Sequence, residues 1–316
     1  MKNNGKIDNT GKIENKMRSA GKLKRELPLI IMLIPSVILV LIYSYGSMVG
    51  TVIAFQKFNI AKGLFGSEWI GLVNFRNLFS MPNIWPIIRN TVVIALGKMI
   101  GGILVPVIFA LMLNEVSKGK LKKAFQTMVY LPNFLSWVIL ASIFTDILSP
   151  STGIVNHFLG FLGVEPIFFL GSTTWFPITM IITDIWKVFG FGSIIYLAAL
   201  TGIDQNLYEA SQIDGAGRIK QTIYVTLPGI LSTIILMSVL SMGNILNGGF
   251  DQIYNMYNAS VYETGDILDT FVFRLGIENA QYALSTAANL FKSGVSLVFV
   301  TASYGLAYKF AGYRIF

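Results

Sequence analysis

Three long stretches of the chain contain no Asp, Glu, Lys or Arg, and this feature restricts the possible folds most strongly. They run from residue 27 to 56, from 124 to 145 and from 221 to 250. A helix that crosses the hydrocarbon layer of a membrane needs about 20 consecutive apolar residues. Each stretch exceeds that length, so each predicts a transmembrane helix.

Three further stretches are apolar apart from isolated charged residues. One contains Lys98, one contains Asp184 and Lys187, and one contains Lys292. Sustained hydropathy with so few charges still indicates membrane-spanning helices. The chain is therefore predicted to be an all-α integral membrane protein with six transmembrane helices, at about residues 28–49, 86–113, 124–147, 174–200, 229–248 and 283–308.

The composition excludes most soluble and metal-dependent classes of protein. Hydrophobic residues make up 53% of the 316 residues and charged residues only 13%, which is too apolar for a soluble globular domain. There is no cysteine and only one histidine, so disulfides, thiolate metal sites and clustered-histidine metal sites are excluded. His157 has no second ligand or triad partner near it in the sequence, and we predict no enzymatic activity.

Lys and Arg are concentrated in three segments, and their distribution predicts the membrane topology. Eight precede Glu26, four lie between residues 114 and 123, and two lie near the C-terminus. Cytoplasmic segments of membrane proteins carry an excess of Lys and Arg. Both termini are therefore predicted to be cytoplasmic, and residues 1–27 form a basic tail for the membrane surface rather than for nucleic acid. By alternation, the segments that face outward are 50–85, 149–173 and 249–282.

The segment 202–228 is the one long polar segment on the predicted cytoplasmic side. Gly215 and Gly217 allow a tight bend that other residues resist, and Pro228 suits the first turn of the next helix. We predict two short helices that meet at these glycines and protrude from the membrane.

This segment resembles the EAA loop of the permease subunits of ABC importers. The family pattern is Glu-Ala-Ala, three residues, Gly, nine residues and then Ile-x-Leu-Pro. The chain keeps this spacing throughout, with Ser in place of the second Ala and Val in place of Ile. The matching residues are Glu209, Ala210, Ser211, Gly215, Val225, Leu227 and Pro228.

The resemblance implies a type I ABC importer permease fold, with a permease domain at 28–316 whose core is spans two to six, 86–308. It also implies four kinds of partner in a bacterial cell membrane: a second, homologous permease subunit, two ATP-binding subunits, an extracellular solute-binding protein and lipid. In the family this loop sits in a groove of the ATPase subunit and couples its motion to transport. The ATPase-coupling residues implied here are Glu209, Ala210, Ser211, Asp214, Gly215, Gly217, Leu227 and Pro228.

The chain itself is not expected to bind ATP. A P-loop needs Gly-x-x-x-x-Gly-Lys followed by Ser or Thr. Neither Gly97-Lys98 nor Gly119-Lys120 is followed by such a residue. ATP and its Mg²⁺ are therefore expected on the partner ATPase subunits, with no cofactor in this chain.

Other segments extend the resemblance to sugar permeases. Residues 69–75 and 130–132 are similar to the corresponding segments of that group. Residues 248–257 and 262–266 look like the subgroup that imports complex and often acidic oligosaccharides, such as aldouronates, alginate or glycosaminoglycan fragments. The implied function is import of oligosaccharides into the cytoplasm.

Charged and amide side chains inside the predicted spans suggest a substrate path. Asp184 and Lys187 lie three residues apart on one helix face, within pairing distance. Three lysines and one aspartate would give a passage of net positive charge, which suits a uronate. Equally, the pair could be structural, the lysines could reach the interface and the amides could join helices. The candidate path residues are Lys98, Asp184, Lys187, Asn244, Asn247, Asp251 and Lys292.

Tyr254, Tyr257 and Tyr262 could stack on pyranose rings, although interface anchoring explains most aromatic residues near outer helix ends. Two other functions compete with the importer. An ion-gradient-driven secondary transporter would show inverted repeats and broken helices, and a membrane enzyme would need a clustered acid, base or metal site. The sequence shows no convincing repeat and no such cluster.

Overall fold

The computed structural model describes residues 26–116, 119–243 and 246–311, and within these ranges the chain is mainly helical. Its helices are, in chain order, α1 (Glu26–Phe55), α2 (Gly63–Gly66), α3 (Val73–Phe79), α4 (Ile84–Glu115), α5 (Lys120–Tyr130), α6 (Trp137–Ile147), α7 (Ile154–Phe161), α8 (Trp175–Thr201), α9 (Gln205–Ile213), α10 (Arg218–Gly229), α11 (Leu231–Met242), α12 (Phe250–Met256), α13 (Tyr262–Gly265), α14 (Leu268–Phe273) and α15 (Tyr282–Ala311). Two short strands, β1 (Gln56–Lys57) and β2 (Glu68–Trp69), pair antiparallel with Gln56 opposite Trp69.

Four helices are long and apolar enough to cross a membrane as single rods: α1, α4, α8 and α15. Two further spans are bent pairs. A bend of 105° separates 122–134 from α6, and a bend of 56° separates α10 from α11. With each pair taken as one span, the six predicted spans are confirmed.

The spans predicted at 124–147 and 229–248 are bent pairs of helices and not single straight helices. In the first, Pro132 lies in a 3-10 turn, and the Ser136 side chain then caps the new helix by accepting a hydrogen bond from the Ile139 amide at 3.4 Å. In the second, helix α11 ends at Met242, several residues before the predicted end. Proline removes a backbone donor, which accounts for the first break.

The centre of the bundle is the pairing of α4 with α8. Gly97 and Gly101 of α4 lie against Ile181 and Ile185 of α8, and a methyl group added at either glycine would collide with the facing isoleucine. The absence of side chains at these positions lets the two helices approach closely. The spacing of the glycines therefore serves packing.

Two buried clusters fix the two ends of this pairing. At one end, Phe176 and Met180 pack with Ile94 and with Ile253 of α12. At the other end, Tyr196 and Leu200 pack with Val107, Ala110 and Ile230. The segment 249–282, which the sequence predicts to face outward, thus folds against the first of these two ends.

Asn90 ties α4 to this outward segment. Its amide nitrogen donates to the backbone oxygens of Glu263 at 2.8 Å and Asp266 at 3.3 Å. Asn90 therefore joins elements, which is the structural alternative considered for the amides. Helix α1 is different, because its large apolar side chains are exposed in this single chain and only its last turns contact α15.

Candidate functional site

The loop 202–228 forms the two short helices that its glycines predicted. Helix α9 begins after Asp204, whose carboxylate accepts a hydrogen bond from the Asn206 amide at 3.0 Å. It ends at Ile213, and Gly215, two residues later, has φ +75°. The Ala216 and Gly215 amides then donate to the Ser211 and Gln212 carbonyls. This is a Schellman motif, and its left-handed residue explains the need for glycine.

Side-chain hydrogen bonds fasten α9 to α10. The Gln221 amide donates to the Ser211 hydroxyl at 2.9 Å, and the Tyr208 and Thr226 hydroxyls lie 3.0 Å apart. Ser211 is one of the two departures from the EAA pattern, and here its hydroxyl has a defined partner. The two helices are therefore held as one unit.

The outer surface of this unit is exposed and mixed in character. Leu207, Ile213 and Ile219 are 53%, 87% and 77% exposed, and charged side chains lie between them. Exposed apolar groups rimmed by charges are typical of protein interaction surfaces. The predicted coupling residues Glu209, Ala210, Asp214, Gly215 and Gly217 are all exposed on this unit.

Leu227 and Pro228 lie at the base of the unit, where α10 enters the bundle. The next residue, Gly229, packs against Ile203 at the end of α8, and a methyl group at Gly229 would lie 2.7 Å from the Ile203 side chain. Motion of the loop would therefore press directly on the membrane helices.

A second candidate site is a cleft of about 290 Å³ between α4, α8 and the segment that precedes α12. We call it the Lys98 cleft. Three of the predicted path residues, Lys98, Asp184 and Asn247, lie together in it. The other lining residues are Ala95, Met99, Gly102, Val188, Ser241 and Gly249.

Lys98 is held by three groups at the wall of the cleft. Its ammonium donates to the Gly248 carbonyl at 2.7 Å and to the Gln252 side chain at 2.5 Å, and it lies 3.7 Å from an Asp184 carboxylate oxygen. The side chains of Lys98 and Asp184 are 9% and 21% exposed. A charged group in a membrane protein requires partners of this kind.

The salt bridge of Asp184 is with Lys98 rather than with Lys187, its neighbour on the same helix. The ion pair of Asp184 joins it to Lys98 on another helix, because the buried side chain of Lys98 points at α8. Lys187 instead lies over the Trp137 ring, with its nitrogen 4.9 Å from the ring centroid. This contact is a cation–π interaction.

Lys292 also has a carboxylate partner, Asp269 of α14. The passage predicted from three lysines and one aspartate therefore has to include a second aspartate, which leaves one excess positive charge instead of two. Asp251 is exposed at the surface of α12, outside the lining of the cleft. Asn244 lies outside the described residues.

Two residues of these networks were missed in the sequence. Gln252 is fully buried, and its amide donates to the Met180 carbonyl at 2.9 Å and to the Thr183 hydroxyl at 2.7 Å. Asp269 falls in the predicted outward segment 249–282 and was given no role. Neither residue has a local sequence signal, since the partners lie on other elements. Within the described ranges no group of three His, Cys, Asp or Glu side chains could hold a metal ion.

Comparison with known proteins gives consistent relatives. The sequence model of the family described as "Binding-protein-dependent transport system inner membrane component" matches residues 102–311. The chain is 40% identical over 299 residues to the polygalacturonan/rhamnogalacturonan transport system permease protein YteP of Bacillus subtilis (strain 168), which covers 95% of this chain and 93% of that protein. It is also 40% identical over 288 residues to Protein LplB of the same organism, with 91% of each chain covered.

Solved structures agree with this likeness. The crystal structure of a bacterial ABC transporter involved in the import of the acidic polysaccharide alginate superposes with a TM-score of 0.85 at 38% identity, over 93% of this chain and 99% of that one. The bacterial alginate ABC transporter in complex with an alginate pentasaccharide-bound periplasmic protein gives a TM-score of 0.84 at 38% identity, over 92% and 96%. The chain therefore belongs to the family of inner membrane components of binding-protein-dependent transport systems.

Proposed function

We propose that this chain is a transmembrane subunit of an ATP-driven importer for oligosaccharides that contain uronic acids. The observation that carries this proposal is likeness over nearly the whole chain to two transport proteins whose names refer to acidic polysaccharides, polygalacturonan or rhamnogalacturonan in one and alginate in the other. Galacturonate and alginate units share a pyranose ring with a carboxylate. That shared chemistry defines the substrate class proposed here.

The α9–α10 unit is the proposed contact with the ATPase subunits. Its exposed Leu207, Ile213 and Ile219 would bury apolar area in a groove of the partner, and Glu209 and Asp214 would set the charge of the contact. The Schellman turn and the bonds between the helices support this role, because force is transmitted only through a rigid element.

The Lys98 cleft is the proposed narrow part of the substrate path. Asp184 offers acceptors to a hydroxyl-rich sugar, Lys98 contributes its positive charge, and Asn247 and Ser241 add neutral polar groups. With Lys187 one turn along α8, the cleft and its surroundings hold one excess positive charge. That charge favours a uronate over a neutral sugar without binding it tightly. Asp251 and Lys292 are assigned to the outer part of the path.

The assembly that follows contains a second permease subunit, two ATPase subunits that carry ATP and Mg²⁺, and an extracellular binding protein. The permease domain spans residues 28–316, both termini are cytoplasmic, and the chain carries out transport and no catalysis. The structure of the alginate transporter in complex with its periplasmic protein supports the extracellular binding protein as a partner.

The test is uptake by the reconstituted importer. The tagged chain is purified with its partners, placed in proteoliposomes with ATP inside, and supplied with its binding protein and labelled trigalacturonate outside. The matched control is the same trisaccharide with its carboxyl groups reduced to alcohols, which keeps length and linkage. We expect ATP-dependent uptake of the acidic sugar at least tenfold faster than of the reduced sugar. Equal or inverted rates would show that the importer does not select uronates.

A further inference from the structure

An unusual helix face lies next to the Lys98 cleft. Phe250, Tyr254 and Tyr257 follow each other at spacings of four and three residues, which places them on one face of α12 and its end. Tyr262, just beyond the turn, continues the row. We call Phe250, Tyr254, Tyr257 and Tyr262 the aromatic stripe.

The rings of the stripe are in contact from one end to the other. The centroids of Phe250 and Tyr254 are 5.1 Å apart with planes inclined by 19°, those of Tyr254 and Tyr257 are 5.9 Å apart, and those of Tyr257 and Tyr262 are 5.1 Å apart. Phe273 supports the inner end, with its ring 4.9 Å from Tyr254. The result is a continuous aromatic surface.

This surface is presented outward rather than used as core. Tyr254 and Tyr262 are 36% and 39% exposed, whereas Gln252 on the opposite face of α12 is fully buried. Gln252 anchors that opposite face to α8 through its two hydrogen bonds. Helix α12 is thus anchored through its buried face, and its aromatic face is exposed.

The stripe leads to the cleft. Gly249, which precedes Phe250, lines the Lys98 cleft, and a methyl group there would lie 2.6 Å from the Lys98 nitrogen. The far end of the stripe lies in the outward segment, where the Arg274 guanidinium lies 4.8 Å from the centre of the Tyr262 ring. An oligosaccharide that moved along the stripe would pass from the outer surface to the cleft.

The stripe would bind a sugar through packing on its rings rather than through attraction to its charges. The C–H groups on one face of a pyranose are apolar and pack on aromatic faces, so each contact gains from buried area. The exposed acids beside the stripe, Asp251 and Glu263, offer no attraction to a uronate carboxylate, so packing on ring faces, and not charge, would hold the sugar there. Weak contact at several successive sites allows a substrate to enter and also to leave, as conduction requires.

Tyr257 keeps its hydroxyl proton throughout the physiological range. Burial, together with the neighbouring Tyr262, raises the pKa of the Tyr257 phenol to about 12. The Tyr257 hydroxyl faces Tyr262 and Arg274, so what Tyr257 offers a sugar is the face of its ring.

We propose that the aromatic stripe is a stacking surface that guides successive sugar rings from the outer face of the protein into the Lys98 cleft. This inference rests on the proposed function. It assigns the stripe to pyranose rings, whether the sugar is acidic or neutral. The alternative is that the partner permease covers the stripe, and the experiment must exclude this.

The experiment compares Tyr254→Leu, which keeps bulk but removes the ring, with Tyr254→Phe, which keeps the ring. The matched control is Phe161→Leu, at an aromatic residue of α7 that is 90% exposed and far from the stripe in sequence. Each variant is purified with its partners and tested in proteoliposomes with labelled trigalacturonate, pentagalacturonate and the carboxyl-reduced pentasaccharide. ATP hydrolysis stimulated by the loaded binding protein is measured on the same samples.

We expect Tyr254→Leu to lower uptake at least fivefold, with a larger loss for the pentasaccharide, while stimulated ATP hydrolysis and partner recovery stay at the wild-type level. Tyr254→Phe and Phe161→Leu should retain at least half of wild-type uptake. Wild-type uptake by Tyr254→Leu, an equal defect in Tyr254→Phe, or loss of the partner permease from Tyr254→Leu alone would overturn the proposal.

The comparison of acidic with carboxyl-reduced sugars tests this inference separately from the substrate proposal. If the wild type imports only the reduced pentasaccharide, the uronate assignment is wrong, but the stripe is still tested on that neutral sugar. If the wild type imports neither sugar, both proposals are overturned.

Discussion

At the scale of single residues, the charges inside the bundle are held by partners from distant parts of the chain. Lys98 of α4 meets Asp184 of α8, and Lys292 of α15 meets Asp269 of α14. Breaking a buried ion pair by removing one partner leaves an uncompensated charge, which costs more than removing both. A single substitution in either pair therefore lowers stability in addition to any effect on transport.

Lys292→Met should destabilise the protein by about 3–5 kcal/mol, because it leaves Asp269, whose side chain is 18% exposed, without its cation. The double variant Lys292→Met with Asp269→Asn should recover most of that loss. Thermal unfolding of the purified complex measures both. As a control, Arg218→Met breaks an exposed pair with Glu115 and should change stability by less than about 1 kcal/mol. Equal stability of the single and double Lys292 variants would contradict the pairing.

At the scale of elements, small residues decide which helices touch and which loops bend. Gly101 packs directly against Ile185 of α8, whereas Gly294 of α15 faces open space. Gly215 ends α9 in a left-handed conformation. These three glycines have different roles, and substitutions can separate them.

Gly101→Ala should lower stability by about 1–3 kcal/mol, because the new methyl group overpacks the contact with Ile185. Gly294→Ala is the matched control within a helix, and it should be neutral or slightly stabilising because alanine favours helix. Thermal unfolding in detergent compares the two. A stable Gly101→Ala variant would mean that α4 and α8 do not pack at this point.

Gly215→Trp and Glu209→Lys should each reduce uptake at least tenfold without preventing membrane insertion, because both change the proposed ATPase contact outside the bilayer. Gly163→Trp is the control, since Gly163 also has positive φ (+78°, against +75° at Gly215) and open space, but lies in an outward loop. ATPase recovery, ATP hydrolysis and uptake are measured on the same samples. Full uptake and full ATPase recovery by both loop variants would refute the coupling role.

The sequence predicted the features that depend on local chemistry. Charge-free length indicated the spans, and the bend at Gly215 followed from a conformation that favours glycine. It could not predict that Lys98 pairs with Asp184, because helical spacing relates only neighbours on one helix and suggested Lys187 instead. It also placed Asp269 only in the outward segment 249–282, since nothing local indicates that α14 folds back against Lys292.

At the scale of the whole molecule, the chain is a bundle whose outward segment folds back onto the membrane helices. Asp266 is only 2% exposed, so it is unsuitable for a topology tag, whereas Gly163 is exposed in an outward loop. Because the chain has no cysteine, a single introduced thiol is unique in it. The topology can therefore be tested without altering the core.

A thiol at position 163 should react with a membrane-impermeant maleimide added to intact cells, and a thiol at position 119 should react only after the membrane is opened. The reason is the concentration of Lys and Arg around position 119. Tags at both termini should behave like position 119. Labelling of position 119 from outside would reverse the proposed orientation.

The most direct test of the account is which energy source drives uptake. In right-side-out vesicles that contain the chain, its partners and its loaded binding protein, a protonophore separates the proton gradient from ATP. We predict that uptake of trigalacturonate continues at the wild-type rate when the gradient is collapsed and ATP is supplied inside, and stops when ATP is depleted and the gradient is kept. Uptake that survives ATP depletion and fails with the protonophore would contradict the importer and favour a secondary transporter.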